Sequence, residues 1–197
     1  ASCTWWQTHP TASGENSVAF GRGANASGFA STAAGYYSRA AGERSVALGD
    51  ISIANGYASV AIGGHATAID EYSVAIGNYA VASGESAVAL SSGGSVYASG
   101  RRSMALGVYV STNGKDGACA IGDNSTGSVN YCDANNQMFM RFAGGYKLYT
   151  NAAATVGTQL APGGNSWSTI SDRRKKENFA AIDGEAFLKK IASFKLT

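Results

Sequence analysis

Few residues in this 197-residue chain have the type and spacing for chemistry. Three cysteines occur, Cys3, Cys119 and Cys132. They form no Cys-x-x-Cys pair and have no histidine at a ligand spacing, so no zinc site is expected. Cys119 and Cys132 either close a short disulfide in an exported protein or stand as two buried thiols. His9 and His65 have no ligand partners nearby in sequence. No two carboxylates stand at a convincing spacing for glycan cleavage. The glycine-rich turns lack the Gly-Lys-Ser/Thr that completes a phosphate loop. No metal, no cofactor and no enzyme activity are therefore expected. Tyrosine is the surplus, with ten residues. Tyr36, Tyr37, Tyr57, Tyr72, Tyr79, Tyr97 and Tyr109 fall largely in turns or short connecting segments. A phenol ring suits carbohydrate or protein contact. Either Tyr36, Tyr37, Tyr57, Tyr79, Tyr97 and Tyr109 face water and bind a ligand, or they cover small-residue corners and seal chain contacts.

Composition narrows the scaffold that must position these side chains. Glycine numbers 26, about twice the average usage of about 7%. Proline occurs twice and charged residues make up 14%, yet 45% of residues are hydrophobic. That balance excludes high-charge disorder. Glycine is not every third residue, which excludes collagen. No apolar run is long enough for a transmembrane helix, so no direct membrane insertion is expected. The net charge of +2 is a property of the tail. Asp172 to Thr197 carries seven basic and four acidic residues, net +3, and residues 1–171 are net −1. No basic groove for nucleic acid is indicated. The opening residues, Ala-Ser-Cys-Thr-Trp-Trp, carry no signal peptide and read as an internal start. Trp5 and Trp6 are expected to cap the first coil.

The scaffold is a repeat. Ser17-Val18-Ala19-Phe20-Gly21 recurs as Ser45-Val46-Ala47-Leu48-Gly49, Ser59-Val60-Ala61-Ile62-Gly63 and Ser73-Val74-Ala75-Ile76-Gly77. Ser31-Thr32-Ala33-Ala34-Gly35 is a degenerate copy, and the period is fourteen residues. Ala87-Val88-Ala89-Leu90-Ser91 keeps phase. Ser103-Met104-Ala105-Leu106-Gly107 and Ala118-Cys119-Ala120-Ile121-Gly122 follow after sixteen and fifteen residues, making eight copies. A second glycine lies halfway, at Gly28, Gly42, Gly56 and Gly84, with Asp70 in one copy. Each unit is two period-two strands and two tight turns. Stacked units make a solenoid of parallel strands about 4.8 Å apart. The Val/Ile side is expected to fill the narrow roll. The Ala side would then lie against a second copy of the chain, since a bare apolar wall marks an interface. Ser92-Gly93-Gly94 and Thr112-Asn113-Gly114-Lys115-Asp116 are expected to bulge as loops on one face.

The units at residues 14–122 resemble the head repeats of YadA-like trimeric autotransporters, with their Asn-Ser-Val-Ala-Ile-Gly signature (here Asn16-Ser17-Val18-Ala19-Phe20-Gly21). The resemblance implies an all-β fold, a left-handed parallel β-roll, a homotrimer around one axis, and an adhesive role at a bacterial cell surface. The implied ligand is a cell-surface glycan or protein. A lead-in at 1–13 precedes the roll.

Residues 123–170 are expected to form a small β domain. Gln137 to Phe142 and Tyr146 to Thr150 alternate around Ala143-Gly144-Gly145 and read as a hairpin. Thr155 to Leu160 is a third strand and Ala161-Pro162-Gly163-Gly164 a turn. From Asp183 to Phe194, the residues Phe187, Leu188, Ile191 and Phe194 mark an amphipathic helix. Ser171 on its own reads as a helix cap. Ser171-Asp172-Arg173-Arg174-Lys175-Lys176, however, resembles the entry to the intramolecular chaperone domain of endosialidase-type phage tailspikes. That family has Ser-Asp-x-Arg-x-Lys at a self-cleavage site. The resemblance implies Ser171 as nucleophile and Lys176 as base, with Asp172 and Arg174 in the motif. A desolvated lysine can take a hydroxyl proton. Residues 171–197 would be the truncated start of that domain, its cleavage site disabled or vestigial. The motif also admits two alternatives: a virion tail fibre or tailspike, or a self-cleaving Ser/Lys unit.

Overall fold

A computed structural model describes residues 9–170 and 183–194. The fourteen-residue unit is one coil of a parallel β-solenoid of about eight turns. Each coil gives one strand to each of two nine-stranded sheets. The first sheet runs from Val18–Phe20 through Val46–Leu48, Val60–Ile62 and Val74–Ile76 to Cys119–Gly122 and Met138–Arg141. The second is made of shorter strands, from Thr11–Ala12 through Ile53–Ala54 and Thr67–Ala68 to Asn130–Tyr131. The pairing keeps the repeat in exact phase: Ala47 lies beside Ala61 and Ala61 beside Ala75.

The two faces are the reverse of the expectation. Ala33, Ala47, Ala61, Ala75, Ala89, Ala105 and Ala120 are fully buried, as are Ser45, Ser59 and Ser73. Val18 is 57% exposed and Phe20 76%. The interior is thus the alanine side, and the Val/Ile/Leu side points out of the roll. Corner length explains the inversion. Each corner is three residues, a glycine, a free position and a residue of positive φ. In the regular fourteen-residue coils, turns that short hold the sheets so close that the interior admits only a methyl or hydroxymethyl group; where the turns enlarge, Val96, Val110, Thr112 and Cys132 fit inside. Branched side chains suit the pleated outer surface.

Three interior serines cap their own turns, whereas the equivalent Ser17, Ser31 and Ser59 hydroxyls have no partner. Ser45 Oγ donates to the Gly42 carbonyl at 2.6 Å, Ser73 to Asp70 at 2.6 Å and Ser103 to Gly100 at 2.7 Å. Ser38 and Ser52 are fully buried in the second sheet's approach, and their hydroxyls have no partner.

Glycine is required at the corners mainly by stacking. A Cβ on Gly28 would overlap the Gly42 carbonyl oxygen of the next coil. At Gly49, with φ +131°, the same overlap with Gly63 adds to a backbone conformation that disfavours other residues. The third corner residue is left-handed even when it is not glycine: Tyr37, Ile51, His65 and Tyr79 at the leading corner, and Arg44, Ala58 and Tyr72 at the return corner. Each donates its N–H to the corner of the preceding coil, as Ile51 does to the Tyr36 carbonyl at 2.8 Å and Ala58 to Glu43 at 2.8 Å. Repeated hydrogen bonds therefore offset strain of about 1–2 kcal/mol per residue.

The roll is longer than the repeat suggested, reaching from Thr11 to Arg141. Met138–Arg141 does not form a hairpin with Tyr146–Tyr149. It pairs parallel with Cys119–Gly122, so Phe139 lies beside Ala120 in the interior column and packs on the core. The nineteen-residue spacing from Gly122 to its partner Arg141 breaks the fourteen-residue phase and hid this last coil. The two enlarged turns also lie on opposite edges rather than one face. Ser92–Gly94 follows a first-sheet strand at the leading corner, and Thr112–Asp116 follows a second-sheet strand at the return corner.

The chain divides into two compact units between Ala143 and Gly144. The second contains a three-stranded antiparallel sheet in which Gly157–Leu160 pairs with Tyr146–Tyr149 on one side and Ser168–Ile170 on the other. The Gly164 N–H closes the expected turn on the Ala161 carbonyl at 2.9 Å. A helix spans Gly184–Ala192. Its cap, Asp183, accepts the N–H groups of Glu185 at 3.0 Å and Ala186 at 3.2 Å. Phe187, Leu188, Ile191 and Phe194 are exposed.

Candidate ligand-binding surface

The six candidate tyrosines do not form one patch. The coil path sends Tyr36, Tyr37, Tyr79 and Tyr109 to the leading corner, Tyr57 to the return corner, and Tyr97 to the outer face of the second sheet. At the leading corner Tyr36 and Tyr37 meet edge to face at 4.6 Å, and the Arg22 guanidinium lies 5.6 Å from the Tyr36 ring centre. Two coils on, His65 and Tyr79 stack with centroids 4.8 Å apart and planes 3° from parallel. That separation is one coil pitch, so the stack runs along the roll axis. At the return corner Tyr57 meets Tyr72 at 5.4 Å, and Arg44 reaches over Tyr57 and donates to its hydroxyl. Glu43 pairs with Arg44 at 3.5 Å. The rings cover small corners, and several remain open to water. Tyr72 and His65 complete these clusters and were missed as ligand candidates, since nothing in their spacing distinguishes them from other corner residues.

Cys119 and Cys132 are not joined; both thiols are free. Register explains it. Cys119 lies beside Met104 and Met138 in the outward column of the first sheet, while Cys132 is fully buried on the second-sheet side of the roll. Burial, then the neighbouring Cys119 and Asp133, push the Cys132 thiol above its ordinary value. That thiol is a small apolar filler rather than a nucleophile.

Two polar clusters repair the coils where the repeat loses phase. The Thr112 hydroxyl accepts the N–H groups of Ser99 at 2.9 Å and Gly100 at 3.3 Å and lies 3.0 Å from Ser103 Oγ. The Asp123 carboxylate takes the Ser125 hydroxyl at 2.7 Å and the Ala143 N–H at 2.7 Å, and pairs with Arg141 at 3.1 Å. Arg141 also donates to the Asp123 carbonyl at 2.7 Å. The Ser125 hydroxyl, then the Ala143 N–H, hold the Asp123 carboxyl below the usual carboxylate range, with Arg141 a smaller contributor. The cluster ties the loop at 123–129 to the last strand. It is structural: most of its donors and acceptors are spent on one another, and only Arg141 Nε is left buried without a partner.

Ser171, Asp172, Arg174 and Lys176 lie outside the described residues, as do Trp5, Trp6 and Cys3. Among the described residues no group of three His, Cys, Asp or Glu side chains is placed to hold a metal ion. No described helix is long and apolar enough to cross a membrane.

The in-phase Ser-Val-Ala-aliphatic-Gly strands match a known family, the YadA head domain repeat, over residues 12–28, 26–50, 54–80 and 71–90. Over those residues the chain is similar to YadA heads. No curated protein matches the chain. The YadA-type coils matched by the model are the regular ones, and all lie before the first enlarged turn. The later coils keep the same register while carrying insertions at both corners.

Proposed function

We propose that this chain is a segment of a trimeric surface fibre, an adhesin whose left-handed rolls stand three around one axis and present their corners to a cell-surface or glycan ligand. The observation that carries the proposal is the outward face of the first sheet. Two columns of mainly apolar side chains cross nine strands, a stripe about 40 Å long at the usual strand spacing. Phe20, Ile76, Leu90, Met104 and Met140 all stay exposed there in a single chain. Withdrawing each half-exposed side chain from water gains on the order of 1 kcal/mol. YadA-type heads are trimers, and closed cyclic symmetry would cover this stripe with copies of itself. A binding and structural role, without turnover, agrees with the absence of acid–base pairs in the sequence.

Analytical ultracentrifugation of the full chain tests the assembly. The expected mass is that of three chains, with Ile62→Lys and Ile76→Lys together giving a monomer that keeps its β circular dichroism. A wild-type monomer at micromolar concentration overturns it. Binding of the trimer to whole cells tests adhesion.

The Ser171-Asp172-x-Arg174-x-Lys176 motif favours a second reading of the chain's end, the stub of an assembly chaperone, and with it a virion fibre as the setting. Mass spectrometry of a chain extended beyond Thr197 separates the cases. A cut after Ser171 supports self-processing by Ser171 and Lys176, and one intact mass after assembly defeats it.

A further inference from the structure

The leading corner carries a notch that the repeat does not need. His65 covers one face of the Tyr79 ring along the roll axis, so the opposite face of Tyr79 looks toward the next coil. That coil carries Ser92-Gly93-Gly94, the first enlarged turn. A Cβ on Gly93 would meet nothing within 4 Å. A Cβ on Gly94 would lie 3.0 Å from a Val108 methyl and 3.1 Å from the Tyr109 ring. Tyr109, one coil further on, therefore leans over Gly94 from the far side, while the space at Gly93 is open. Ala80 pairs with Val96 and Val96 with Val110, so Tyr79 and Tyr109 flank Ser95 two coils apart, about 10 Å. The turn between them carries only serine and glycine, Ser92 to Ser95. A ring in van der Waals contact with both walls needs about 7–8 Å, within that spacing. Tyr79 is 50% exposed.

The chemistry of the walls selects the occupant. Two aromatic faces offer stacking to an apolar C–H face. Ser92 and Asn78 are exposed at the rim and offer a hydroxyl and an amide for hydrogen bonds. No residue of the turn, Asn78-Tyr79, Ser92-Gly93-Gly94 or Val108-Tyr109, is charged. A molecule with one apolar ring face, hydroxyls at its edge and no charge fits all three conditions. We propose that the notch between Tyr79 and Tyr109 over Gly93 and Gly94 is a subsite for one uncharged pyranose ring of a glycan. The assignment rests on the adhesive reading above. It narrows the ligand from any surface molecule to a neutral saccharide, and the site from all exposed tyrosines to two.

A glycan array and a whole-cell binding assay on the full-length chain test it, with Tyr79→Ala, Tyr109→Ala and, at the return corner, Tyr57→Ala. Alanine already occupies the left-handed corner position at Ala30 and Ala58, so the corner variants fold, which circular dichroism checks. The expected result is a signal on uncharged saccharides that falls at least tenfold in Tyr79→Ala and Tyr109→Ala and is unchanged in Tyr57→Ala. The notch is overturned if the parent binds cells but no uncharged saccharide, or if a proline-rich peptide rather than a saccharide is retained. It is equally overturned if both corner variants bind as the parent does. A parent that binds neither saccharides nor cells overturns the adhesive reading as well.

Discussion

The Thr112 hydroxyl accepts the Ser99 N–H at 2.9 Å. One coil earlier the equivalent acceptor is a backbone carbonyl: Ala98 O receives Ser83 N–H at 2.9 Å and Gly84 N–H at 3.3 Å. The enlarged return turn moves the carbonyl of residue 112 away, where it accepts Lys115 N–H at 2.9 Å, and the side chain takes its place. Thr112→Val keeps the shape and removes the acceptor. A buried donor left unpaired costs about 1–3 kcal/mol, so Thr112→Val should lower the thermal midpoint while Thr112→Ser retains it. Equal midpoints for Val and Ser would refute the substitution of hydroxyl for carbonyl.

Ser52 sits where Ala24, Ala66 and Ala80 stand in other coils, fully buried and with its hydroxyl unpartnered. Ser52→Ala should therefore stabilise the roll, by up to about 1–3 kcal/mol, seen as a higher midpoint in thermal or denaturant unfolding. A lower midpoint would mean that the hydroxyl has a partner in solution.

The inverted faces predict opposite responses from neighbouring residues. Ala61→Leu places a large side chain between the sheets, and overpacking of about 1–3 kcal/mol or more should reduce folding itself. Val60→Thr, one residue away on the outer face, should leave the circular dichroism unchanged and alter only self-association. The reverse outcome would restore the Val-filled interior.

Asp123 supplies a pH signature. Its carboxyl is held below the usual carboxylate range, so the folded state favours the ionised form. The stabilisation is complete above the unfolded value and is lost as pH falls through the lower folded value. Asp123 also accepts the Ser125 N–H at 3.2 Å. The protection factors of the Ala143 and Ser125 amides, measured against their intrinsic exchange rates, should therefore fall below about pH 4 in the parent. In Asp123→Asn they should already be low at neutral pH, with little further acid response. A parent whose two protection factors are the same at pH 6 and pH 3 would count against the cluster.

The architecture was legible because the period was exact. Fourteen residues with two glycines allow one strand pair and two corners, and the pairing of Ala47 with Ala61 follows from counting alone. Which face pointed inward was not legible. Val and Ile normally fill cores, and only the three-residue corners, whose closeness emerges in three dimensions, reserve the interior for alanine. Tyr37, Ile51 and His65 concealed the left-handed corner positions, since their types do not announce positive φ. Thr112 was read as part of a loop, because a hydroxyl replacing a carbonyl has no sequence pattern. The coil ending at Arg141 was read as a hairpin strand, because its turns of non-repeat length erased the phase. Of the candidate tyrosines, the sequence located them in turns but could not say which corner each would occupy.

Phe139 occupies the interior column that alanine fills in the eight preceding strands, from Ala19 to Ala120. A benzyl group has no room between two further coils, so it plugs the end of the bore. The rod consequently has a terminator written as a single side chain. The regular coils upstream are interchangeable stock: whole fourteen-residue coils can be duplicated or deleted between Ala19 and Ala89 without touching either end. Reach is then a counted quantity, about 4.8 Å for each fourteen codons gained or lost, adjustable by recombination between near-identical repeats while the two ends of the roll stay the same.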